Sequence, residues 1–89
     1  MNPITVRIPT PLRSYTAQAA TVTAEGTTVD EVLFDLDRQF PGLRFRVVDE
    51  QHRLRKHMKV FVGEESVRDL ATPLDGSVEL TLMQALSGG

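Results

Sequence analysis

The chain has 89 residues, 40% of them hydrophobic and 25% charged, with a formal charge of −2. That length is one small domain, too short for a multidomain enzyme. The absence of cysteine excludes a disulfide framework, a thiol nucleophile, an iron–sulfur cluster and a thiolate zinc site. The opening Ile4-Thr5-Val6-Arg7-Ile8 alternates apolar and polar residues and predicts a half-buried strand with Ile4, Val6 and Ile8 inward. Pro9-Thr10-Pro11 stops it, since proline has no N–H for the ladder, and a loop carrying Leu12, Arg13 and Tyr15 follows. Residues 20–24 predict a second, weaker strand, antiparallel to the first.

Thr28-Val29-Asp30-Glu31 fits a capping box, with acidic residues at the positive end of a helix. Val29, Val32, Leu33, Leu36 and Phe40 then recur at helical spacing, and Pro41-Gly42 closes the segment. Phe34 falls off this stripe, where it can cover a neighbouring loop. Residues 43–48 read equally as a strand or a short helical turn, and residues 49–55 as a polar loop. Residues 57–62 predict a strand with Met58, Val60 and Val62 on one face, residues 63–66 a turn, and residues 67–70 a short edge strand. Asp75-Gly76 is a turn signal, and residues 77–83 predict the last strand with Val78, Leu80 and Leu82 inward. Residues 1–83 are expected to form the domain and residues 84–89 a flexible tail. One helix with one apolar stripe and strands with one apolar face pack most economically as two layers. The terminal strands, the most apolar, would lie parallel at the centre, with the helix in the crossover between them. That is an α+β chain with a β-grasp, or ubiquitin-like, fold: a mixed sheet of four or five strands and one main helix on one face.

The sequence ends in Gly88-Gly89. Alone, a Ser-Gly-Gly ending also looks like a linker scar. Behind this fold it carries more. With Val6-Arg7-Ile8-Pro9-Thr10-Pro11-Leu12-Arg13, the helix over residues 29–41, Val60-Phe61-Val62-Gly63 and Leu74-Asp75-Gly76-Ser77-Val78, the chain resembles the ThiS/MoaD family of prokaryotic sulfur carriers along essentially its whole length. Its opening and length are most similar to carriers of the O-phosphoserine sulfhydrylase route to cysteine. It departs from the family pattern at Ser77, where an acidic residue often follows Asp-Gly, and at Met83-Gln84, where prolines are common.

The resemblance implies a protein cosubstrate, not an enzyme. An E1-like enzyme would spend ATP to adenylate the Gly89 carboxylate, and sulfide or a persulfide donor would displace AMP to leave a thiocarboxylate. Leu86, Ser87 and Gly88 would thread the tail into the partner active sites, and glycine, lacking Cβ, suits a narrow channel. Implied partners are that E1-like enzyme and a sulfur-accepting sulfhydrylase or synthase large subunit. No bound cofactor is expected. Cysteine, molybdopterin and thiamin synthesis all remain open as destinations. The alternatives are a ubiquitin-like adaptor or RNA-binding β-grasp module without sulfur chemistry, and a modifier conjugated through Gly89.

If Met58, Val60 and Val62 face the helix, period two turns Phe61 and Met83 outward, with Thr5, Arg7, Lys59, Glu79 and Thr81 on the same open face. Phe61, Met83, Arg7, Lys59 and Thr81 are the expected docking face, since an exposed Phe and Met on polar ground suit partner binding. Arg44, Arg46, Arg53, Arg55, Lys56 and Lys59 crowd one stretch, opposed only by Asp49 and Glu50. A solvated loop is the expectation there, with steering of an acidic partner or RNA binding as the functional readings. His52 and His57 lack a third ligand in register and read as exposed loop histidines. No metal site, catalytic set or membrane span is expected, and nucleic acid is disfavoured. Met1-Asn2-Pro3 shows no signal-peptide pattern, so a cytoplasmic, monomeric protein is the expectation.

Overall fold

The first strand, β1 (Pro3–Arg7), alternates exposed and buried positions, with Ile4 and Val6 inward and Ile8 buried just beyond it. The computed structural model containing it describes residues 3–75 and 79–85. β2 (Thr21–Glu25) pairs antiparallel with β1 in the register Ile4 with Ala24 and Val6 with Val22. The connection between them, expected as a loop, is a 3₁₀ helix over Thr10–Thr16. Leu12 and Tyr15 are three residues apart, and a three-residue turn puts both against the core. The buried Thr16 hydroxyl donates to the Ala19 carbonyl at 2.9 Å, so it carries no unmet polar cost. Ala17 and Gln18, both at positive φ (54° and 68°), then turn the chain into β2.

α1 (Val29–Gln39) begins where the capping pattern places it: Thr28 Oγ1 accepts from Glu31 N at 3.2 Å. The return bond is displaced by one residue, because Glu31 Oε1 accepts from Thr27 N at 2.7 Å and from the Thr27 hydroxyl at 2.8 Å. The next donors, Val29 N and Asp30 N, bond the carbonyls of Thr72 and Leu70. Val29, Val32, Leu33 and Leu36 are fully buried. After Pro41, Gly42 at φ 97° directs the chain into α2 (Leu43–Val47). Residues 43–48, open between strand and helix, are therefore mostly helical. Leu43 and Val47, four apart, are buried, while Phe45 between them is 55% exposed. A side chain of α1 starts α2: Asp37 Oδ1 accepts from Gly42 N at 3.0 Å and Arg44 N at 3.2 Å.

β3 (Met58–Val62), β4 (Glu65–Val67) and β5 (Glu79–Gln84) complete a five-stranded sheet in the order β2-β1-β5-β3-β4. β1 and β5 are parallel and central, and every other pair is antiparallel. The edge strand lies earlier than the expected residues 67–70. Gly63, at φ 61°, and Glu64 form a two-residue turn that starts β4 at Glu65. Leu70 instead turns inward and its carbonyl serves the start of α1. The expected turn glycine Gly76, with Ser77 and Val78, lies outside the described residues. β5 includes Gln84, paired with Met58, and Ala85 N donates to the His57 carbonyl at 2.7 Å. The ordered ladder thus runs past residue 83, where the domain was expected to end. The helices cover one side of the sheet, and Val6, Val60, Leu80 and Leu82 meet Val32, Leu33 and Leu36 between the layers. This is the β-grasp arrangement, with α1 in the crossover between parallel central strands. Among the described residues no helix is long and apolar enough to cross a membrane.

Candidate functional site

The sheet face away from α1 is built by strict alternation on β1, β5 and β3. One row crosses all three strands: Arg7 stands opposite Thr81, and Thr81 opposite Phe61. Lys59 pairs with Met83 in the next row and Thr5 with Glu79 on the other side. Arg7 Nε donates to Glu79 Oε1 at 2.7 Å, so two outward charges are joined diagonally across the parallel pair. That hydrogen bond, then the charge of Glu79, raises the Arg7 pKa from its ordinary value. Met83 is 47% exposed, an apolar side chain on polar ground. Phe61 is only half-buried rather than fully open, because Thr81 and Ser66 flank it on both neighbouring strands.

Where β1 ends and the 3₁₀ helix begins, this face runs into a groove of about 370 Å³ lined by Arg7, Pro9, Thr10, Arg13, Thr81 and Met83 among others. Three of the five expected docking residues, Arg7, Thr81 and Met83, line it, while Phe61 and Lys59 stand outside its walls. Arg13 and Gln84 also line it and were not among the expected docking residues. Arg13 is held there by donating from Nε to the Ile8 carbonyl at 3.0 Å. The only sequence signal for Arg13 was its place after Pro9 and Pro11, and there was none for Gln84, which alternation on β5 puts in phase with Leu80 and Leu82. The groove opens beside Gln84 and Ala85, the last described residues before the tail. Leu86, Ser87, Gly88 and Gly89, the expected threading and activation residues, lie outside the described residues.

A second cluster on the helix side corrects one expectation. Arg44, placed by sequence in a solvated basic stretch, has a side chain only 16% exposed, and its Nη2 donates to Asp30 Oδ1 at 3.1 Å. Its guanidinium lies 4.0 Å from the centre of the Phe34 ring. His52 is the exposed loop histidine that was expected, and it places Nδ1 2.9 Å from Arg44 Nη2 and Nε2 3.1 Å from Asp30 Oδ2. Residues 49–55 form the expected loop, closed at its base into a hairpin. Val48 and Leu54 form a bridge, and Arg55 N donates to the Val47 carbonyl and Asp49 N to that of Arg53. Phe34 therefore covers the guanidinium of Arg44 and the flank of this hairpin.

The carboxyl groups with lowered pKa values serve the architecture. Glu31 is lowered by the Thr27 N–H and hydroxyl, Asp35 first by Arg38 and then by the Glu25 N–H, and Asp49 by the N–H groups of Arg53 and Gln51. No three metal-ligating side chains gather among the described residues.

The sequence profile of the ThiS family matches residues 6–89. The chain is 33% identical to sulfur carrier protein CysO of Mycobacterium tuberculosis over 97% of its own length and 98% of that protein. The same protein's crystal structure superimposes with a TM-score of 0.88 at 32% identity, over 93% of this chain and 99% of that one. The BexX/CysO complex of Amycolatopsis orientalis gives a TM-score of 0.89 at 35% identity, over 97% and 99%. The small archaeal modifier protein SAMP1 of Haloferax volcanii shares the fold, with a TM-score of 0.83 at 24% identity over 99% and 100%. This β-grasp chain belongs to the ThiS family.

Proposed function

We propose that this protein carries sulfur on its terminal carboxylate at Gly89. The reading rests on full-length likeness to a sulfur carrier protein, with a family match that runs through Gly88-Gly89 to the last residue. The described fold suits the role. β5 is paired on both sides, by β1 and β3, so the strand leading to the tail is anchored at the centre of the sheet. The groove lined by Arg7, Arg13 and Met83 opens beside the end of that strand. An enzyme that grips this face would find the following four residues within reach of its own active site.

The chemistry follows from the poor electrophilicity of a carboxylate. A Gly89 carboxylate oxygen attacks the α-phosphorus of ATP in an E1-like enzyme, pyrophosphate leaves, and the mixed anhydride makes the carbonyl carbon electrophilic. Sulfide then adds to that carbon and AMP departs with the bridging oxygen, leaving a thiocarboxylate. Its sulfur is the nucleophile that bonds to the acceptor in a biosynthetic enzyme, and hydrolysis of the acyl bond that still joins carrier and product releases the carrier as a carboxylate. The chain is consumed and regenerated as a cosubstrate. Likeness to CysO favours cysteine synthesis as the destination, with molybdopterin or thiamin as the other outlets, and the BexX/CysO assembly supports docking of a partner protein.

Incubation with a cognate E1-like enzyme, ATP and sulfide should exchange one oxygen for sulfur at the C-terminus, read by intact-mass spectrometry. Exchange that persists after deletion of Gly89 would overturn the proposal. A short C-terminal extension should also abolish it, whereas an adaptor using only the folded face would keep its binding.

A further inference from the structure

Charge is segregated along this chain. Residues 44–59 hold six basic side chains against two acidic ones, while the remainder holds four basic against ten acidic. The fold concentrates most of that basic stretch on the helix side. Arg46, Arg53 and Lys56 are exposed and make no side-chain hydrogen bond or ion pair among the described residues. They are carried on α2 and on the hairpin closed by the Val48–Leu54 bridge, so their backbone positions are fixed. Asp49, one of the two acids, accepts from the backbone N–H groups of Gln51 and Arg53. Glu50 is the other.

Two large apolar side chains stand exposed against the same hairpin. Phe45 is 55% exposed and Phe34 53%. The Arg55 guanidinium lies 4.6 Å from the centre of the Phe45 ring, and its Nε donates to the Phe45 carbonyl at 2.8 Å. The Phe34 ring centre lies 6.3 Å from that of His52. Exposed phenylalanines ringed by cations are the composition of an interface centre with a steering rim.

We propose that this helix-side surface, centred on Phe45, Arg46, Arg53, Arg55 and Lys56 and flanked by Phe34, docks a carboxylate-rich protein surface. It shares no residue with the lining of the groove at the end of β5. Two observations favour protein over nucleic acid. Each exposed ring already carries a guanidinium over one face, which removes a stacking surface that single-stranded bases would use. The ten acidic groups elsewhere in the chain also repel an extended polyanion that reaches beyond this face. A compact acidic patch meets only the basic face.

The test is an NMR titration of the full-length protein, isotopically labelled, at low salt. The probes are an octaglutamate peptide carrying one central phenylalanine, its all-lysine counterpart and an eight-nucleotide oligouridine. The acidic peptide should shift resonances of Phe45, Arg46, Arg53, Arg55 and Lys56 while leaving Arg7, Arg13 and Met83 in place. The Arg46→Glu/Arg53→Glu double variant should bind it at least about tenfold more weakly. These two side chains make no bond in the described structure, so the variant should keep its thermal midpoint. Phe45→Ala should also weaken binding, which charge attraction alone would not produce. Shifts spread over all the basic residues, affinity indifferent to Phe45, or tighter binding of oligouridine than of the peptide would each overturn the proposal.

Discussion

Arg44 and His52 divide one carboxylate between them, taking Asp30 Oδ1 and Oδ2 respectively. A guanidinium has only donors, so the ring nitrogen facing it, His52 Nδ1, must accept. The proton of the neutral ring is then on Nε2 and is donated to Asp30. Long-range ¹⁵N spectra of that neutral ring should show a protonated Nε2, and the opposite tautomer would contradict the geometry. Arg44→Lys should destabilise the fold by about 1–2 kcal/mol in urea, since an ammonium on a shorter side chain loses the flat guanidinium that lies on Phe34 while its Nη2 serves both Asp30 and His52. An unchanged midpoint would show the cluster to be decorative. Carboxylates also set the response to acid. Glu31, Asp35 and Asp49 all have pKa values below their ordinary ones in the fold. A group lowered in the folded state holds its proton more weakly there than in the unfolded chain. Its stabilisation is complete above the unfolded value and is lost as pH falls through the folded one. Urea midpoints should therefore hold steady from neutrality, then fall as pH drops through the ordinary values of 4.5 and 3.8 and below. Asp35→Asn should lower the plateau and flatten that fall, because Asp35 joins Glu25 N on β2 to Arg38 and Gln39 on α1.

The join between β2 and α1 depends on a close approach. A Cβ on Gly26 would stand 2.7 Å from Val32 N and 2.9 Å from Glu31 Cβ, atoms of the helix's own first turns. Gly26→Ala should cost about 1–3 kcal/mol in thermal or urea denaturation, and no loss would mean the helix can slide outward. Elements like α1 were legible because five apolar positions over three turns fix a period and Thr28 marks the start. β1 was legible because strict alternation leaves a strand one choice of face. Shorter pieces lack that redundancy. In residues 43–47 Leu43, Phe45 and Val47 satisfy a two-residue period as well as Leu43 and Val47 satisfy a helical one. The choice is made by Gly42 and by Asp37, a residue of another helix. The 3₁₀ helix was hidden for a similar reason, since one Leu12–Tyr15 spacing is too little pattern to separate from a loop. The outward sheet face followed from period two, but the groove at its end did not, because Arg13 reaches it only through the 3₁₀ turn. The Asp30–Arg44–His52 cluster joins three separate segments and left no trace in spacing.

The sheet closes only when the first strand meets the last, since β1 and β5 are the parallel central pair. Leu80 and Leu82 on β5 are fully buried among residues of β1, β3 and α1. Leu82→Ala should therefore remove about 2–5 kcal/mol, and it should slow folding where the late contact forms with β1. The described core, by contrast, is complete by Leu82, and the ladder ends with the bond from Ala85 N to the His57 carbonyl. A chain stopped after Ala85 should keep its stability to within about 0.5 kcal/mol, the range of changes that leave a core and its hydrogen bonds intact. The same truncation should abolish oxygen-to-sulfur exchange by an E1-like enzyme. Paired measurements on the two variants decide the matter. If the truncated chain melts well below the parent, the last four residues pack on the domain and are not held out for a partner. If it keeps both its midpoint and the exchange, Gly89 is not where the sulfur is carried.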